Sequence, residues 1–361
     1  MSQIETPLGR ILKEHILAQG PITFREFMAQ ALFHPELGFY SKGPDIGSVG
    51  GTFNTNAMFP AFAFSLAQAV EQADAMVGEP LRIVEFGAGT GELGARILSY
   101  LSNAHEYVVV ETSPGLREKQ KGLGLKVVDS VKELAAAPSF VFGNEVLDAL
   151  PFHRVLGDGQ GNLLEMYVAI DQNGCFTEEF GELSTSRLLA RLASEAIVLG
   201  RGHVAEVCLD IDPFIQSAAS VISKGYLVII DYGEESSALY HYTRKNGSLR
   251  CYFQQQQVHD PFDLIGDQDI TTDVDFTALE AAAYLAGLGK AQRMWQGPWL
   301  ENLGIHQFQP KGVDPKDVQS QIEQLTHPAR LGSTFDVLVW TISNISNTPG
   351  FPFTTEVHKL L

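Results

Sequence analysis

LRIVEFGAGTGELG, residues Leu81 to Gly94, decides how this chain folds. Leu81, Ile83, Val84 and Phe86 form an apolar run that predicts a buried strand. Gly87, Gly89 and Gly91 then predict a turn in which backbone approaches a ligand closely. From Glu92 onward Leu93, Ile97, Leu98 and Leu101 recur at helical spacing. The product is a strand, a glycine turn and a helix N-terminus whose unpaired N–H groups face a cleft. Two ligand classes use that arrangement, a dinucleotide and S-adenosylmethionine. The spacing G-x-G-x-G departs from the dinucleotide fingerprint G-x-G-x-x-G. The third glycine of that fingerprint falls here on Glu92, whose carboxylate repels a pyrophosphate. Glu85 suits a ligand ammonium, which S-adenosylmethionine carries. Glu85, Gly87, Ala88, Gly89 and Gly91 are therefore candidate cofactor residues. A tight strand-to-helix connection without a ligand is the plain alternative.

Composition narrows the classes. The 361 residues suit one large domain with insertions or two domains. A net charge of -18 with no basic run argues against a nucleic-acid surface, because phosphates are repelled. Cys175, Cys208 and Cys251 have no metal-ligand spacing, so no metal is expected and the thiols read as reduced. No apolar segment approaches a membrane span. The N-terminus has neither signal-peptide order nor the arginine content of a transit peptide, so the expected compartment is the cytoplasm.

Around the central stretch the pattern predicts an α/β alternation. Thr6 to Gln19 reads as a first helix. Thr23 caps a second from Phe24 to Leu32, with Glu26 in capping-box spacing. A glycine-rich loop, KGPDIGSVGGTFNTN, reads as a lid or a surface excursion. Pro60 to about Ala75 is a further helix. Glu106 to Val110 is a second strand ending at Glu111, placed to accept hydrogen bonds from ribose hydroxyls. A helix follows from Ser113-Pro114 to about Lys121. Leu125 to Val128 is a third strand ending at Asp129, which can face an adenine amino group.

A fourth strand, Phe140 to Phe142, leads into GNEVLDALPFHRV. Ligands in open α/β sheets sit outside the C-terminal strand ends, which puts Asn144, Glu145, Asp148 and His153 at or near the cleft. Asn144 is expected to bond the cofactor through its amide. Glu145 is expected to hold or deprotonate a nucleophile, and Asp148 shares its face on a helical turn. Asp148 also reads as a cap, and His153 as a structural or surface histidine. Arg154 to Phe176 reads as a β excursion around a Gly157–Asn162 turn, and the 182–198 segment as an inserted helix. A helix near Pro213 to Ile222 precedes the strand Tyr226 to Ile230, which ends at Asp231. TTDVDF, with Asp275, opens a helix from Thr277 to Leu288. Met294 to Leu303 reads as a core or lip segment, and Phe335 to Ile342 as a last buried strand. This order predicts a doubly wound, mostly parallel sheet. An N-terminal helical segment with the lid covers about 1–75, and one domain covers 76–361 with insertions at about 154–200 and 235–305.

IVEFGAGTGELG, GNEVLDALPFHRV, VIIDYG and GDQDITTDVDF together resemble the MidA family of class I S-adenosylmethionine-dependent methyltransferases. PITFREFMAQALFHPELGFYSKG and WLENLGI extend the likeness over almost the whole chain. The resemblance implies a Rossmann-like sheet, S-adenosylmethionine as cofactor, and a role like that of the family's mitochondrial members. Those members assist respiratory complex I assembly and methylate an arginine of a core subunit. The loop before the third helix departs from the family pattern G-D-F-x-T-[SA]-P-E. It keeps Phe53 and Thr55 and lacks the acidic residues and the proline.

A guanidinium is a protonated, delocalised nucleophile. Carboxylates can grip it bidentately and accept the leaving proton. Glu145 and Asp148 are accordingly the expected catalytic pair, with Phe53, His153, Asp231 and Asp275 on the acceptor side. The expected partner is a protein substrate such as a respiratory-complex subunit, with a homodimer left open. Rival readings are a small-molecule methyltransferase, a non-catalytic cofactor-binding assembly factor and a nicotinamide oxidoreductase.

Overall fold

A computed structural model describes residues 3–44 and 55–342. Seven strands form the main sheet: β1 (Arg82–Phe86), β2 (Tyr107–Val110), β3 (Lys126–Val128), β4 (Ala137–Asn144), β5 (Ile222–Asp231), β6 (Gln292–Trp295) and β7 (Asp336–Ile342). Their order is β6-β7-β5-β4-β1-β2-β3. The first five run parallel to their neighbours, and β7 lies antiparallel between β5 and β6. From β1 the chain winds outward to β2 and β3, then returns to β4 on the other flank. Loops leaving the C-terminal ends of β1 and β4 therefore diverge and open a crevice between them.

Helices α1 (Pro7–Gln19) and α2 (Phe24–Phe33) precede the sheet, and α3 (Pro60–Val77) leads into it. Then come α4 (Glu92–Tyr100), α5 (Pro114–Gly122), α6 (Ile211–Ser220), α7 (Phe276–Leu285), α8 (Gln296–Asn302) and α9 (Pro315–Thr326). Successive strand residues point to opposite faces, and both faces are covered. Phe140, Phe142, Val228, Ile230 and Val337 pack against Val70 of α3, Ile97 of α4, Trp299 of α8 and Ile322 of α9. Val141, Leu227, Ile229 and Trp340 pack against Ile215 of α6 and Leu279 of α7. Near-continuous apolar runs such as YLVII mark strands buried on both sides.

A second, five-stranded sheet holds His153–Gly157, Leu163–Ile170, Phe176–Gly181 and Val204–Val207, with Ile22–Thr23 paired to Leu163–Ile170. The first two helices pack on this sheet. Leu8, Leu12, Phe24 and Phe27 share a core with Phe152, Met166, Val168 and Ile270. Phe24 and Phe152 stack with centroids 5.5 Å apart. Among the described residues, no helix is long and apolar enough to cross a membrane.

Three readings of the sequence need correction. The helix expected near Pro213 to Ile222 runs from Ile211 to Ser220, because Ile222 already pairs with Ala137 as β5 begins. The Met294 to Leu303 segment divides into edge strand β6 and helix α8. QRMW has no apolar alternation to mark a strand; its pairing to β7 makes it one. The β excursion extends beyond Phe176 to Gly181.

The capping box at α2 is present. Thr23 Oγ1 accepts the Glu26 N–H at 3.1 Å, and the Glu26 carboxylate accepts the Thr23 N–H at 2.9 Å. Thr23→Ala is expected to cost about 1 kcal/mol in urea denaturation, with Thr23→Ser near wild type.

Candidate functional site

A cavity of about 510 Å³ opens at the crevice. Gly87, Ala88, Gly89 and Thr90 line it from the loop after β1. Glu111 follows β2, Asp129 and Ser130 follow β3, and Asn144, Glu145 and Val146 follow β4. Pro213, Phe214 and Ser217 of α6 form one flank, and Phe33, Tyr40 and Thr55 approach from the N-terminal side. Gly87 has φ +66° and Gly91, which opens α4, φ +86°. A Cβ on Gly87 would lie 2.8 Å from Cγ2 of Val146, so only glycine lets the two walls approach this closely.

Among the described residues, the acidic groups on the β1 and β2 side make no ion pairs. Glu85 is buried and accepts the Tyr107 hydroxyl at 2.7 Å. Burial pushes its carboxyl up to about 7. Glu111 accepts the Ser113 N–H at 2.8 Å and Nε2 of Gln120 at 3.3 Å, while burial raises its pKa. The same Nε2 donates to the Gly89 carbonyl at 2.8 Å, so Gln120 ties the glycine turn to Glu111. Neither Tyr107 nor Gln120 was found from sequence. Tyr107 reads as one more strand apolar, and Gln120 as a helix surface position.

Glu145 sits at the opposite wall. Its φ is +50°, a left-handed conformation rare outside glycine. Its N–H donates to the Ile230 carbonyl at 2.9 Å, which holds it there. The Thr55 hydroxyl and Nδ2 of Asn144 both donate to its Oε1. Burial, with Asp148 nearby, pushes its carboxyl up to about 8. Asn144 is buried, and its Oδ1 has no partner among the described residues.

The other expected residues lie elsewhere. Asp148 stands behind the cavity wall, where the Tyr232 hydroxyl donates to it; burial raises its pKa to about 6. Asp231 is wholly buried, accepting the Leu147 N–H at 2.9 Å and the Val146 N–H at 3.2 Å. It braces the turn that carries Glu145 and is not on the cavity wall. His153 belongs to the second sheet, with Nδ1 2.6 Å from Glu165. Asp275 caps α7, accepting the Ala278 N–H at 3.0 Å. Phe53 lies outside the described residues. The structure thus gathers Glu85, Gly87, Ala88, Gly89, Glu111, Asp129, Asn144 and Glu145 on the cavity wall, and leaves Gly91, Asp148, His153, Asp231 and Asp275 off it.

These groups fit S-adenosylmethionine. The glycine cradle accepts close approach, Glu111 suits ribose hydroxyls, and Val110, Leu116, Val131 and Leu150 add apolar surface to the cavity that Asp129 also lines. The Asn144 oxygen stays unpartnered among the described residues. Gly87→Arg is expected to weaken S-adenosylmethionine by roughly 100-fold or more in titration calorimetry, with the circular dichroism spectrum unchanged.

Residues 62–293 match a protein family described as "Putative S-adenosyl-L-methionine-dependent methyltransferase". A Burkholderia thailandensis protein solved with S-adenosyl-homocysteine is 30% identical, covers 94% of this chain and 95% of its own, and superposes with a TM-score of 0.83. The Danio rerio protein arginine methyltransferase NDUFAF7, mitochondrial, is 27% identical over 92% of this chain and 86% of its own length. Its Homo sapiens counterpart is 26% identical over 92% and 82%. The family match spans both the glycine turn and the Glu145 turn, in agreement with the MidA resemblance. The chain belongs to this family, and it is an enzyme that uses S-adenosylmethionine to transfer a methyl group.

Proposed function

We propose that the methyl acceptor is an arginine side chain of a protein, with Glu145 as the group that holds it. The observation that carries this reading is a half-buried carboxylate on the wall of the cofactor cavity with no ion pair among the described residues. The curated relatives are protein arginine methyltransferases by name. When bound, S-adenosylmethionine supplies a methyl group on an electrophilic sulfonium. Glu145 would pair with the guanidinium, localise its charge and take the proton released on transfer. Thr55 and Asn144 fix the rotamer of that carboxylate. Asp148 acts from behind, since its charge raises the proton affinity of Glu145. Acceptor N–H groups would also neutralise the cost of burying the Glu145 charge.

Glu145→Gln is expected to lower methyl transfer by about 10²- to 10⁴-fold while S-adenosylhomocysteine still binds. Asp148→Asn should cost less, because Asp148 is off the wall. The test is labelled methyl transfer followed by mass spectrometry of the modified residue. Label on lysine, or on a small molecule only, would sink the arginine reading; cofactor binding with no transfer would favour a non-catalytic role.

The pH dependence has a definite sign. Below about 8 the empty site keeps Glu145 protonated, and a guanidinium must displace that proton. At subsaturating acceptor the rate should climb about tenfold per pH unit below 8 and level off above it. In Glu145→Gln that slope should vanish.

The same proposal takes the acceptor to be a respiratory-complex subunit and the compartment the cytoplasm. All three cysteines are free thiols, as a reducing compartment maintains them. The curated relatives are named mitochondrial, so cell fractionation is the direct check.

A further inference from the structure

Two carboxyls meet on one serine where the insertion joins α7. The inserted helix Arg187–Ser194 buries Leu188 and Leu192 against Val155, Ala205 and Val207 of the second sheet. Glu195 closes that helix, and its side chain is 3% exposed. Oε2 of Glu195 lies 2.9 Å from the hydroxyl oxygen of Ser236, the buried first residue of a short helix after β5. Oδ1 of Asp275, the cap of α7, lies 2.8 Å from the same oxygen.

A serine hydroxyl has one hydrogen, and an ionised carboxylate only accepts. Two ionised carboxylates would share that single hydrogen with their like charges withdrawn from water. One of the two therefore carries a proton. Asp275 is the ionised member, because its Oδ1 also accepts the Ala278 N–H at 3.0 Å and a helix N-terminus favours negative charge. Glu195 is the acid. It donates to Ser236 Oγ, and Ser236 donates to Asp275. Burial and the Asp275 charge push the Glu195 carboxyl up to about 8.

The other groups facing Glu195 are Tyr240, at the end of the helix that Ser236 opens, and Arg191, which also pairs with Asp212 at 2.5 Å. Arg191 offers a second state. Its Nε lies 3.9 Å from Oε1 of Glu195. That oxygen and Nη1 of Arg191 both have no hydrogen-bond partner among the described residues.

We infer that Glu195 is a proton-operated latch between the inserted helix and α7. With its proton, Glu195 bonds across the junction to Ser236. When the proton leaves to solvent, that bond loses its hydrogen and the carboxylate turns to Arg191 on its own helix. The folded acid holds its proton more tightly than an ordinary glutamate, which titrates near 4.5. The latch is therefore complete below that value, weakens as the pH rises and is fully lost above about 8.

Hydrogen exchange across this range, corrected for intrinsic amide rates and referred to β4, reads the junction locally. Protection of the inserted helix and the first turn of α7 should fall by up to about tenfold per pH unit, then level off above about 8. Glu195→Gln keeps the shape and a donor for Ser236 but does not titrate. Its protection should stay within about twofold across the range and exceed wild type about tenfold or more at the alkaline end. Asp275→Asn removes the charge that holds the proton, so its fall should end at least about one pH unit lower. An unshifted fall in Asp275→Asn means that burial alone holds the proton, and it overturns the latch. So does a wild-type profile flat within about twofold, or a Glu195→Gln profile that keeps the wild-type slope. If Glu195→Gln does not fold, the wild-type and Asp275→Asn profiles decide.

Discussion

A carboxylate removed from water at the end of one strand shapes the turn after its neighbour. Asp231, the last residue of β5, accepts the N–H groups of Val146 and Leu147, while the Ile230 carbonyl takes the N–H of Glu145. These bonds hold the backbone of Glu145 in a conformation that an unrestrained glutamate avoids. They set Asn144 and Glu145 on the cavity wall and put Val146 against Gly87. Without the brace, the β4 turn would relax and the crevice would lose one side.

The elements added to the sheet complete the cavity. The N-terminal helices share a core with the inserted strands, and the segment after α2 reaches back over the cofactor side. The Ser113 hydroxyl donates to the Tyr40 carbonyl at 2.7 Å, and the Tyr40 hydroxyl to Asp269 at 2.9 Å. Lys42 reaches the Gly266 carbonyl at 2.8 Å. One strap therefore joins α5, which supports the cofactor side, to the insertion that follows β5. Burial lifts Tyr40 well above its usual range and Asp269 to about 7. Ionisable groups withdrawn from water at this density disfavour their charged forms.

Much of the sheet is legible in the residues. VVV, FVF, YLVII and VLVW are short apolar runs bounded by polar or glycine signals, as strands buried on both faces must be. The Thr23–Glu26 box and the Ser113-Pro114 start specify their helices locally. The glycine spacing and the acidic residue ending β2 mark the cofactor wall for the same reason, since both are chain-local consequences of strand-turn-helix geometry. Edge strand β6 is not legible, because pairing to β7 rather than its own pattern makes it a strand.

Sequence by itself determined the alternation of elements, a cleft outside the C-terminal strand ends, and the residue types facing it from β1, β2 and β4. Periodicity, capping and turn chemistry act over a few residues, so they can be read along the chain. Only the tertiary structure decided which carboxylates line the cavity and which serve the scaffold. Glu145, Asp148 and Asp231 look alike on paper. One backbone conformation, one tyrosine hydroxyl and two amide N–H groups give them different work. The same holds for Asn56, Asn144 and Gln296, which are far apart in sequence and meet as one hydrogen-bonded line. Such a line exists only where folding withdraws its amides from water and sets them beside one another.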